Sequence, residues 1–207
     1  MLLIAVLGKQ ENPSLEKLLK TILKDHNIKY NITLKYTEKY NIDYIETLKQ
    51  SGISVSIIFL SLDEFDSIKG IMFDVILYDN ILRKTEITKS LLKNIHSNTI
   101  IIANSDDMNA FEFLSEIKIC IITYGLNMRS TVTASSIEQG ESLFNFVYCL
   151  QRQISTFNND IIEPEEIPVT IIDKNVNIYN ALSCVTTALL LGIPTEEITK
   201  INLQKGF

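Results

Sequence analysis

The sequence predicts an α/β fold in which a mainly parallel sheet is flanked by helices and accompanied by a small antiparallel β group. Leu2–Leu7 is a continuous apolar run and Ile53–Leu60 is a second, mostly apolar segment, the pattern of strands that are covered on both faces. Segments with apolar residues at helical spacing lie between such runs. The stretch from Ile100 to Asn127 reads as strand, loop, short helix, strand and turn, which is a βαβ unit.

The composition is that of a folded protein and excludes several classes of function. The chain has 207 residues, of which 46% are hydrophobic and 21% are charged, and a chain of this size can bury a core without disulfides or metals. Its net charge of −6 argues against nucleic-acid binding, which requires clustered Lys and Arg. The longest weakly polar run, Ala181–Ile193, is too short to span a bilayer. We therefore expect a cytoplasmic protein without membrane insertion.

The cysteines and histidines do not suggest a metal site. Cys120, Cys149 and Cys184 are far apart, and each lies inside an apolar run. They form no Cys-x-x-Cys motif and no cluster with His26 or His96, so the sequence predicts no zinc site. Buried free thiols are expected, and an odd number of scattered cysteines fits a reducing compartment. Both histidines lie near the ends of predicted helices, where surface roles are expected.

The N-terminal segment has the layout of a phosphate-binding βα unit. The strand Leu2–Leu7 leads into a loop at Gly8–Glu11. Asn12 can cap the helix that follows, and Pro13 suits its first turn. A helix N-terminus presents free N–H groups and the positive end of the helix dipole, so such a unit is suited to bind an anion. The helix is predicted to be amphipathic, with apolar residues at Leu15, Leu18, Leu19, Ile22 and Leu23.

Strands and helices alternate through the rest of the first half. Strands are predicted at 32–36, 53–60, 72–78, 99–103 and 118–123. A helix that carries Tyr44, Ile45 and Leu48 ends at Gly52. Another helix, which carries Phe111–Ile117, lies inside the βαβ unit.

The second half is predicted to contain the antiparallel group and a long helix. Turn residues such as Gly140 separate strands between about 130 and 172. The helix opens near Asn177 and ends at Gly192, and Pro194–Glu197 starts a last turn. We expect one domain over residues 1–207, with a parallel α/β part at 1–128, an antiparallel part at 129–173 and C-terminal helices at 174–207.

Three motifs resemble the central domain of the Mur ligases, the ATP-dependent amino-acid ligases of peptidoglycan synthesis. They are Asn104–Asp107 after one strand, Thr123–Asn127 after the next strand, and Asn177–Ala181 at the start of the last helix. The resemblance covers nearly the whole chain and implies a P-loop NTPase-like fold. Mur ligases also contain a UDP-sugar domain and an amino-acid-binding domain, and neither is expected within these residues.

The resemblance implies five candidate nucleotide-binding positions. Gly8 corresponds to the first glycine of the family's phosphate-binding loop, and Lys9 is a possible substitute cation. Asn80 ends a strand of the family's Asp-Val type. Asn177 and Asn180 keep the spacing of the family's adenine-pocket asparagines, although an Asn at a helix start also acts as a cap.

The phosphate-binding loop departs from the family pattern, which is Gly, two residues, then Gly-Lys-Thr/Ser-Thr. The second glycine is replaced by Glu11, whose carboxylate would repel phosphate, and the lysine by Asn12. Pro13 removes one N–H group from the loop. The sequence therefore predicts no tight ATP binding through this loop.

The sequence also departs from the family at the magnesium-binding positions. Lys89 and Lys93 lie near the position of the lysine that the family carbamylates, but we expect both to be exposed helix lysines. Asp63 and Glu64 are the remaining acidic candidates, and acidic residues at that place also commonly start a helix. We assign no metal ligand and no catalytic residue.

Two functions follow from these observations. The first is a catalytically inactive Mur ligase-like domain that acts as a binding or regulatory module, with a cell-wall enzyme as a possible partner. The alternative is an ATP-dependent acid–amino-acid ligase, or a subunit of one, with ATP and magnesium as cofactors. That chemistry needs a phosphate cradle and Mg²⁺ to neutralise charge during transfer.

Overall fold

The structure is a computed structural model that describes residues 1–8, 12–34, 41–68, 70–79, 93–107, 118–173 and 175–204. The chain divides into two compact units. The first unit is Met1–Glu11 with Ile28–Ile121, and the second is Asn12–Asn27 with Ile122–Phe207. No helix in the described stretches is long and apolar enough to cross a membrane.

The elements of the described residues are numbered here in chain order. They are β1 (Leu2–Gly8), α1 (Pro13–Asp25), β2 (Tyr30–Thr33), α2 (Ile42–Gln50), β3 (Val55–Leu60), α3 (Leu62–Ser67), β4 (Phe73–Asp79), β5 (Ile95–Asn104), β6 (Cys120–Tyr124), β7 (Val132–Gln139), β8 (Phe144–Leu150), β9 (Ile154–Ser155), β10 (Ile161–Ile162), β11 (Glu165–Ile172), α4 (Ile178–Leu190) and β12 (Lys200–Asn202), with a short 3₁₀ turn at Thr195–Glu197.

The first unit contains parallel strands in the order β5-β4-β1-β3-β2. Ile4 of the central strand β1 lies opposite Ile57 of β3 and Val75 of β4. All residues of β3 are buried, Ser56 included, which explains its mainly apolar sequence. Buried side chains of these strands pack with Ile45 of α2 and Phe65 of α3 in one core.

Local side-chain hydrogen bonds begin the two described helices of the first unit. The Asn41 side chain accepts a hydrogen bond from the Tyr44 N–H at 2.9 Å at the start of α2. α3 begins with a capping box, in which Glu64 N–H donates to Ser61 Oγ at 3.2 Å and Ser61 N–H donates to Glu64 Oε2 at 2.7 Å. Gly52 follows α2 with φ +75°, a left-handed conformation that suits glycine.

The second unit contains mostly antiparallel strands. β8 pairs antiparallel with β7 and β11, and β12 adds to β11 in parallel. The hairpin between β7 and β8 closes where the Gly140 N–H donates to the Leu143 carbonyl oxygen at 2.8 Å. β9 and β10 form a separate two-stranded antiparallel sheet.

Two helices pack together in the second unit. Asn12 caps α1 and Pro13 opens it, and the predicted apolar residues of α1 are all buried. Residues 180–190 of α4 are buried throughout, and α1 packs against α4 and β12. Gly192 follows α4 with φ +79°.

The predicted fold class is confirmed as a mainly parallel sheet flanked by helices, with a small antiparallel group. The main differences concern short or polar strands. β2 lies at 30–33 and not at 32–36, and Tyr36 lies outside the described residues. β5 begins at Ile95 and not at residue 99, because Ile95 pairs with Phe73 of β4 ahead of an irregularity in the register. His96 therefore lies in a strand and not near the end of a helix. The sequence did not predict β9, β10 and β12.

The expectation of buried thiols is correct for only one of the three free cysteines. Cys184 is buried in α4, whereas Cys149 is half-buried and Cys120 is exposed. Cys120 is exposed because it is the first residue of β6, and the chain is only fully buried further along that strand, at Ile122 and Tyr124. An apolar run in the sequence therefore overstates burial at its ends.

Candidate functional site

The five predicted nucleotide-binding residues fall into different parts of the chain. Gly8 is the last residue of β1, in the first unit, and lies opposite Asp79 of β4. Asn177 and Asn180 lie at the start of α4 in the second unit. Lys9 and Asn80 lie outside the described residues. Of the predicted residues, Asn177 and Asn180 belong to the same unit as Asn12, and Asn180 contacts Asn12.

Asn12 and Asn180 form a reciprocal pair of amide hydrogen bonds. Asn12 Nδ2 donates to Asn180 Oδ1 at 3.0 Å, and Asn180 Nδ2 donates to Asn12 Oδ1 at 3.0 Å. Asn12 Oδ1 also accepts from the Leu15 N–H at 3.1 Å, which caps α1. Asn180 is 8% exposed, so its amide requires such a partner. The pair therefore joins the N-terminal turns of α1 and α4.

Asn177 acts as the N-cap of α4. Its Oδ1 accepts from the Tyr179 N–H at 2.8 Å, and the residue is exposed. Asn177 and Asn180 were predicted to share one helix face and to contact adenine together. In the structure Asn177 precedes the first helical residue, and Asn180 is directed to Asn12. Their nucleotide-binding role remains a prediction.

The charged side chains on the first turns of α1 are engaged in ion pairs. Lys17 Nζ lies 2.9 Å from Asp173 Oδ2, just before α4. Lys20 pairs with Glu16 one turn earlier in the same helix. Glu16 itself lies in the first turn, where a carboxylate interacts favourably with the helix dipole. The N-terminal end of α1 thus has its cations neutralised by protein carboxylates.

The Asn104–Asp107 motif forms a turn at the end of β5. Asn104 Oδ1 accepts from the Asp106 N–H at 2.9 Å, and the Asp107 N–H donates to the Asn104 carbonyl oxygen at 3.3 Å. Burial raises the pKa of the Tyr78 phenol in β4, and the negative charge of Asp107 raises it further. Asp107 therefore lies close enough to β4 to influence a buried hydroxyl group.

The Thr123–Asn127 motif is likewise held by local hydrogen bonds. The Thr131 N–H donates to Thr123 Oγ1 at 2.9 Å, and the Thr123 N–H donates to Thr131 Oγ1 at 3.3 Å. Asn127 Oδ1 accepts from the Arg129 N–H at 2.9 Å. These contacts fix the connection between β6 and β7.

Of the two acidic candidates for magnesium binding, only Glu64 has a structural role among the described residues. Glu64 completes the capping box of α3 and Asp63 is exposed beside it. Lys93 is exposed and lies 3.9 Å from Asp66, whereas Lys89 lies outside the described residues. No group of three or more His, Cys, Asp or Glu side chains in the part of the chain that the structure describes is placed to hold a metal ion.

The sequence indicated Asn12 and Asn180 separately but not their pairing. Each asparagine has a local explanation, Asn12 as a helix cap and Asn180 as part of a family motif, and 168 residues separate them. A reciprocal amide pair leaves no pattern in a single sequence. The one sequence feature that accompanies the pair is an asparagine near the start of each of two helices. Asparagines are so common at helix starts that this feature does not predict a contact.

Known structures with the same fold are Mur ligases and a folylpolyglutamate synthetase. MurF from Acinetobacter baumannii matches with a TM-score of 0.66 at 18% identity, over 96% of this chain and 44% of that one. MurF from Thermotoga maritima, solved in complex with ADP, matches with a TM-score of 0.58 at 12% identity, over 96% and 48%. Folylpolyglutamate synthetase from Lactobacillus casei matches with a TM-score of 0.58 at 10% identity, over 96% and 61%.

These matches show a Mur ligase-like fold and nothing finer. The chain spans less than two thirds of the length of each of these solved structures. No protein-family model matches the chain, and no curated protein matches it by sequence.

Proposed function

We propose that this chain is a catalytically inactive Mur ligase-like domain that acts as a cytoplasmic binding or regulatory module in cell-wall synthesis, with a cell-wall enzyme as its partner. The fold supports the link to cell-wall ligases. The observation that carries the proposed inactivity is the reciprocal amide pair between Asn12 and Asn180. By resemblance, this pair occupies the position of the phosphate-binding lysine and one of the adenine-pocket asparagines.

The amide of Asn12 cannot replace a phosphate-binding lysine. A P-loop lysine acts as a point charge on the phosphates, whereas Asn12 is neutral and directs both amide atoms to protein groups. The helix dipole alone contributes about 0.3–1 kcal/mol at an exposed helix end. The nearby Lys17 and Lys20 are paired with Asp173 and Glu16. A polyphosphate at α1 would therefore have to compete with these carboxylates.

Adenine recognition at α4 would be weak for a related reason. A base that hydrogen-bonds to Asn180 must displace Asn12, and Asn177 already caps the helix. Neutral hydrogen bonds contribute roughly 0.5–1.5 kcal/mol each. Two of them fall well short of the roughly −8 kcal/mol that micromolar affinity requires. Any remaining nucleotide interaction should be millimolar and indifferent to Mg²⁺.

Titration calorimetry with ATP and Mg²⁺ tests the proposal. We expect no saturable binding in the micromolar range, because no unpaired cation is available on the first turns of α1. Micromolar, Mg²⁺-dependent binding that Lys9→Ala abolishes would contradict it, and Lys24→Ala, at the exposed last turn of α1, is the matched control. That outcome would favour the second candidate, an ATP-dependent acid–amino-acid ligase, which the ADP-containing MurF neighbour supports.

An NMR titration locates any residual nucleotide interaction. Adenosine, AMP and ATP are added separately while amide shifts are followed. We expect weak shifts near Asn177 and Asn180 that are the same for the three ligands, since no phosphate contact contributes. Shifts confined to residues 8–14 that grow with the number of phosphates would contradict this and place the interaction at the N-terminal loop.

A further inference from the structure

A concave surface lies in the second unit, at the opposite end of α4 from the asparagine pair. It is a cavity of about 420 Å³ between the β9–β10 hairpin and the turn that follows α4. Because α4 has 13 residues, its two ends are roughly 20 Å apart at 1.5 Å per residue. A cavity of this size falls within the range of roughly 300–1,000 Å³ that is typical of ligand pockets.

The walls of this cavity are partly apolar and exposed. Ile161 of β10 is 60% exposed, whereas Ile193, which also lines the cavity, is 5% exposed. Pro164 and Pro194 also line the cavity and are exposed. These groups offer apolar contact area to a ligand without any rearrangement of the core.

Four carboxylates line the same cavity. Asp160, Glu163, Glu165 and Glu196 line the cavity, and its lining includes no Lys, Arg or His. Within the described ranges, none of these four carboxylates has an ion-pair partner. We refer to this cavity, with its four carboxylates, Ile161 and Pro194, as the acidic cavity.

Backbone hydrogen bonds hold the acidic cavity in shape. Thr156 Oγ1 accepts from the Asn158 N–H at 3.2 Å and from the Asp160 N–H at 3.1 Å. The Thr156 N–H donates to the Asp160 carbonyl oxygen at 2.9 Å, and the Phe157 N–H donates to the Leu190 carbonyl oxygen at 3.0 Å. The hairpin is therefore tied to the C-terminal end of α4.

We propose that the acidic cavity binds a lysine- or arginine-bearing segment of a partner protein. The aliphatic stem of such a side chain packs on apolar surface while its charged end stays among carboxylates and water. Arginine and carboxylate groups form strong charge-assisted hydrogen bonds. The cavity supplies both kinds of surface in one place. This inference gives a partner chemistry for the binding role proposed above and rests on that role, but it does not depend on nucleotide binding.

NMR titration with a short basic peptide tests the inference. The probe is acetyl-Gly-Arg-Leu-Arg-Gly-amide, and its matched control contains citrulline, which is uncharged and nearly the same shape, at both arginine positions. We expect saturable amide shifts at residues 160–165 and 192–196 with the arginine peptide and binding weaker by about fivefold or more with the citrulline peptide.

Paired variants separate the cavity from general electrostatics. Glu163→Gln with Glu196→Gln should weaken arginine-peptide binding by about fivefold or more. Glu138→Gln with Glu141→Gln removes the same number of carboxylates from exposed positions of the β7–β8 hairpin and should leave binding unchanged. The four residues are exposed, so a melting curve for each variant is sufficient to show that it folds.

A second pair of variants tests the apolar wall. Ile161→Ser should weaken binding, whereas Ile137→Ser, at a 44% exposed position of β7, should not.

The inference fails if both peptides bind equally, if the control carboxylates matter as much as the cavity carboxylates, or if the arginine peptide does not saturate. It also fails if CaCl₂ alone produces the same shifts at residues 160–165 while the peptide produces none, because the carboxylates would then form a metal site. None of these results bears on ATP binding, which tests the proposed inactivity separately.

Discussion

Asn12 illustrates how one side chain can connect two helices that are distant in the sequence. Its Oδ1 caps α1 and also accepts from Asn180, while its Nδ2 donates back to Asn180. The cap could be predicted from the sequence, because Asn12 precedes Pro13 and a regular apolar pattern. The bond to Asn180 could not, because it depends on how α1 and α4 pack.

Replacing both asparagines should reveal energetic coupling between them. Asn12→Ala removes a helix cap, which costs about 0.5–2 kcal/mol, and leaves the buried Asn180 amide without Asn12, which costs about 1–3 kcal/mol. Asn180→Ala removes the buried amide together with its two hydrogen bonds, which contribute about 0.5–1.5 kcal/mol each, and leaves the cap of α1 in place. We expect the double variant to be less destabilised than the sum of the singles by about 0.5–3 kcal/mol. Urea denaturation measures all three values.

The control for this cycle is Asn177→Ala. Asn177 caps α4 but makes no described contact with Asn12, so its effect should add to that of Asn12→Ala. If the Asn12 and Asn180 variants were instead additive with each other, the reciprocal amide pair would not be a stabilising unit.

The buried Tyr148 phenol and Cys184 thiol should make the protein less stable at high pH. Burial raises the pKa of Tyr148 and of Cys184 above their ordinary values of 10.0 and 9.0. Between the ordinary and the raised pKa, the unfolded chain releases a proton that the folded protein keeps, so the free energy of unfolding falls as pH rises. The stabilisation by each group is complete below its ordinary pKa, and its loss approaches about 1.4 kcal/mol per pH unit above it.

Tyr148→Phe isolates one of these groups. At neutral pH it should cost about 0.5–1.5 kcal/mol, because Tyr148 Oη lies 3.0 Å from Thr186 Oγ1 in the core. Above pH about 10 the variant should lose stability less steeply than the unmodified protein. Urea denaturation from neutral to alkaline pH provides both results, with Tyr30→Phe in strand β2 as the control. Parallel curves would mean that Tyr148 does not contribute to the alkaline loss.

At the scale of elements, helix ends were better predicted than short strands. Asn12 and Gly192 each act through neighbours within a few residues, so their chemistry is visible in the sequence. β12 exists because Ile201 pairs with Ile171, some 30 residues earlier. A three-residue strand carries no period of its own, and its partner strand decides whether it forms.

The end of α4 allows a sharp test. Gly192 has φ +79°, and a Cβ there would lie 2.8 Å from Asn158 Nδ2. Gly192→Ala should therefore lower stability by more than about 1 kcal/mol, through backbone strain and this close approach. Thermal unfolding measures the loss. Gly140→Ala is the matched control, because its nearest contact would be the Leu143 carbonyl oxygen at 3.4 Å. Adding Asn158→Ala should relieve only the steric part, and full recovery would mean that the backbone angle has no cost.

For the molecule as a whole, the sequence predicted the fold class and the family resemblance more completely than the site. The fold class depends on apolar periodicity summed over many residues, so one wrongly placed strand or helix end does not change the prediction. A site depends on a few atoms, and the polar groups of Asn12, Asn177 and Asn180 can serve either the fold, as helix caps or as the amide pair, or a ligand. Only their three-dimensional contacts distinguish the two roles.

Thermal unfolding with ATP and Mg²⁺ tests the proposed inactivity at this scale. At about 1 mM ligand, a site with a Kd of about 1 μM would stabilise the folded state by about 4 kcal/mol. This would raise the Tm by roughly 8–16 °C, at roughly 2–4 °C per kcal/mol for a chain of this size. We expect a change below about 1 °C, equal to that with MgCl₂ alone. A nucleotide-specific rise of several degrees would show that the pairing of Asn12 with Asn180 does not prevent binding.

The discontinuous second unit has a consequence for synthesis on the ribosome. α1 belongs to this unit, but its partner Asn180 is translated 168 residues after Asn12. At roughly 5–20 residues per second, the delay is roughly 8–34 s. During that time the apolar stripe of α1 has none of its native partners from α4. The rate of elongation therefore fixes how long a nascent α1 is open to chaperones or to aggregation.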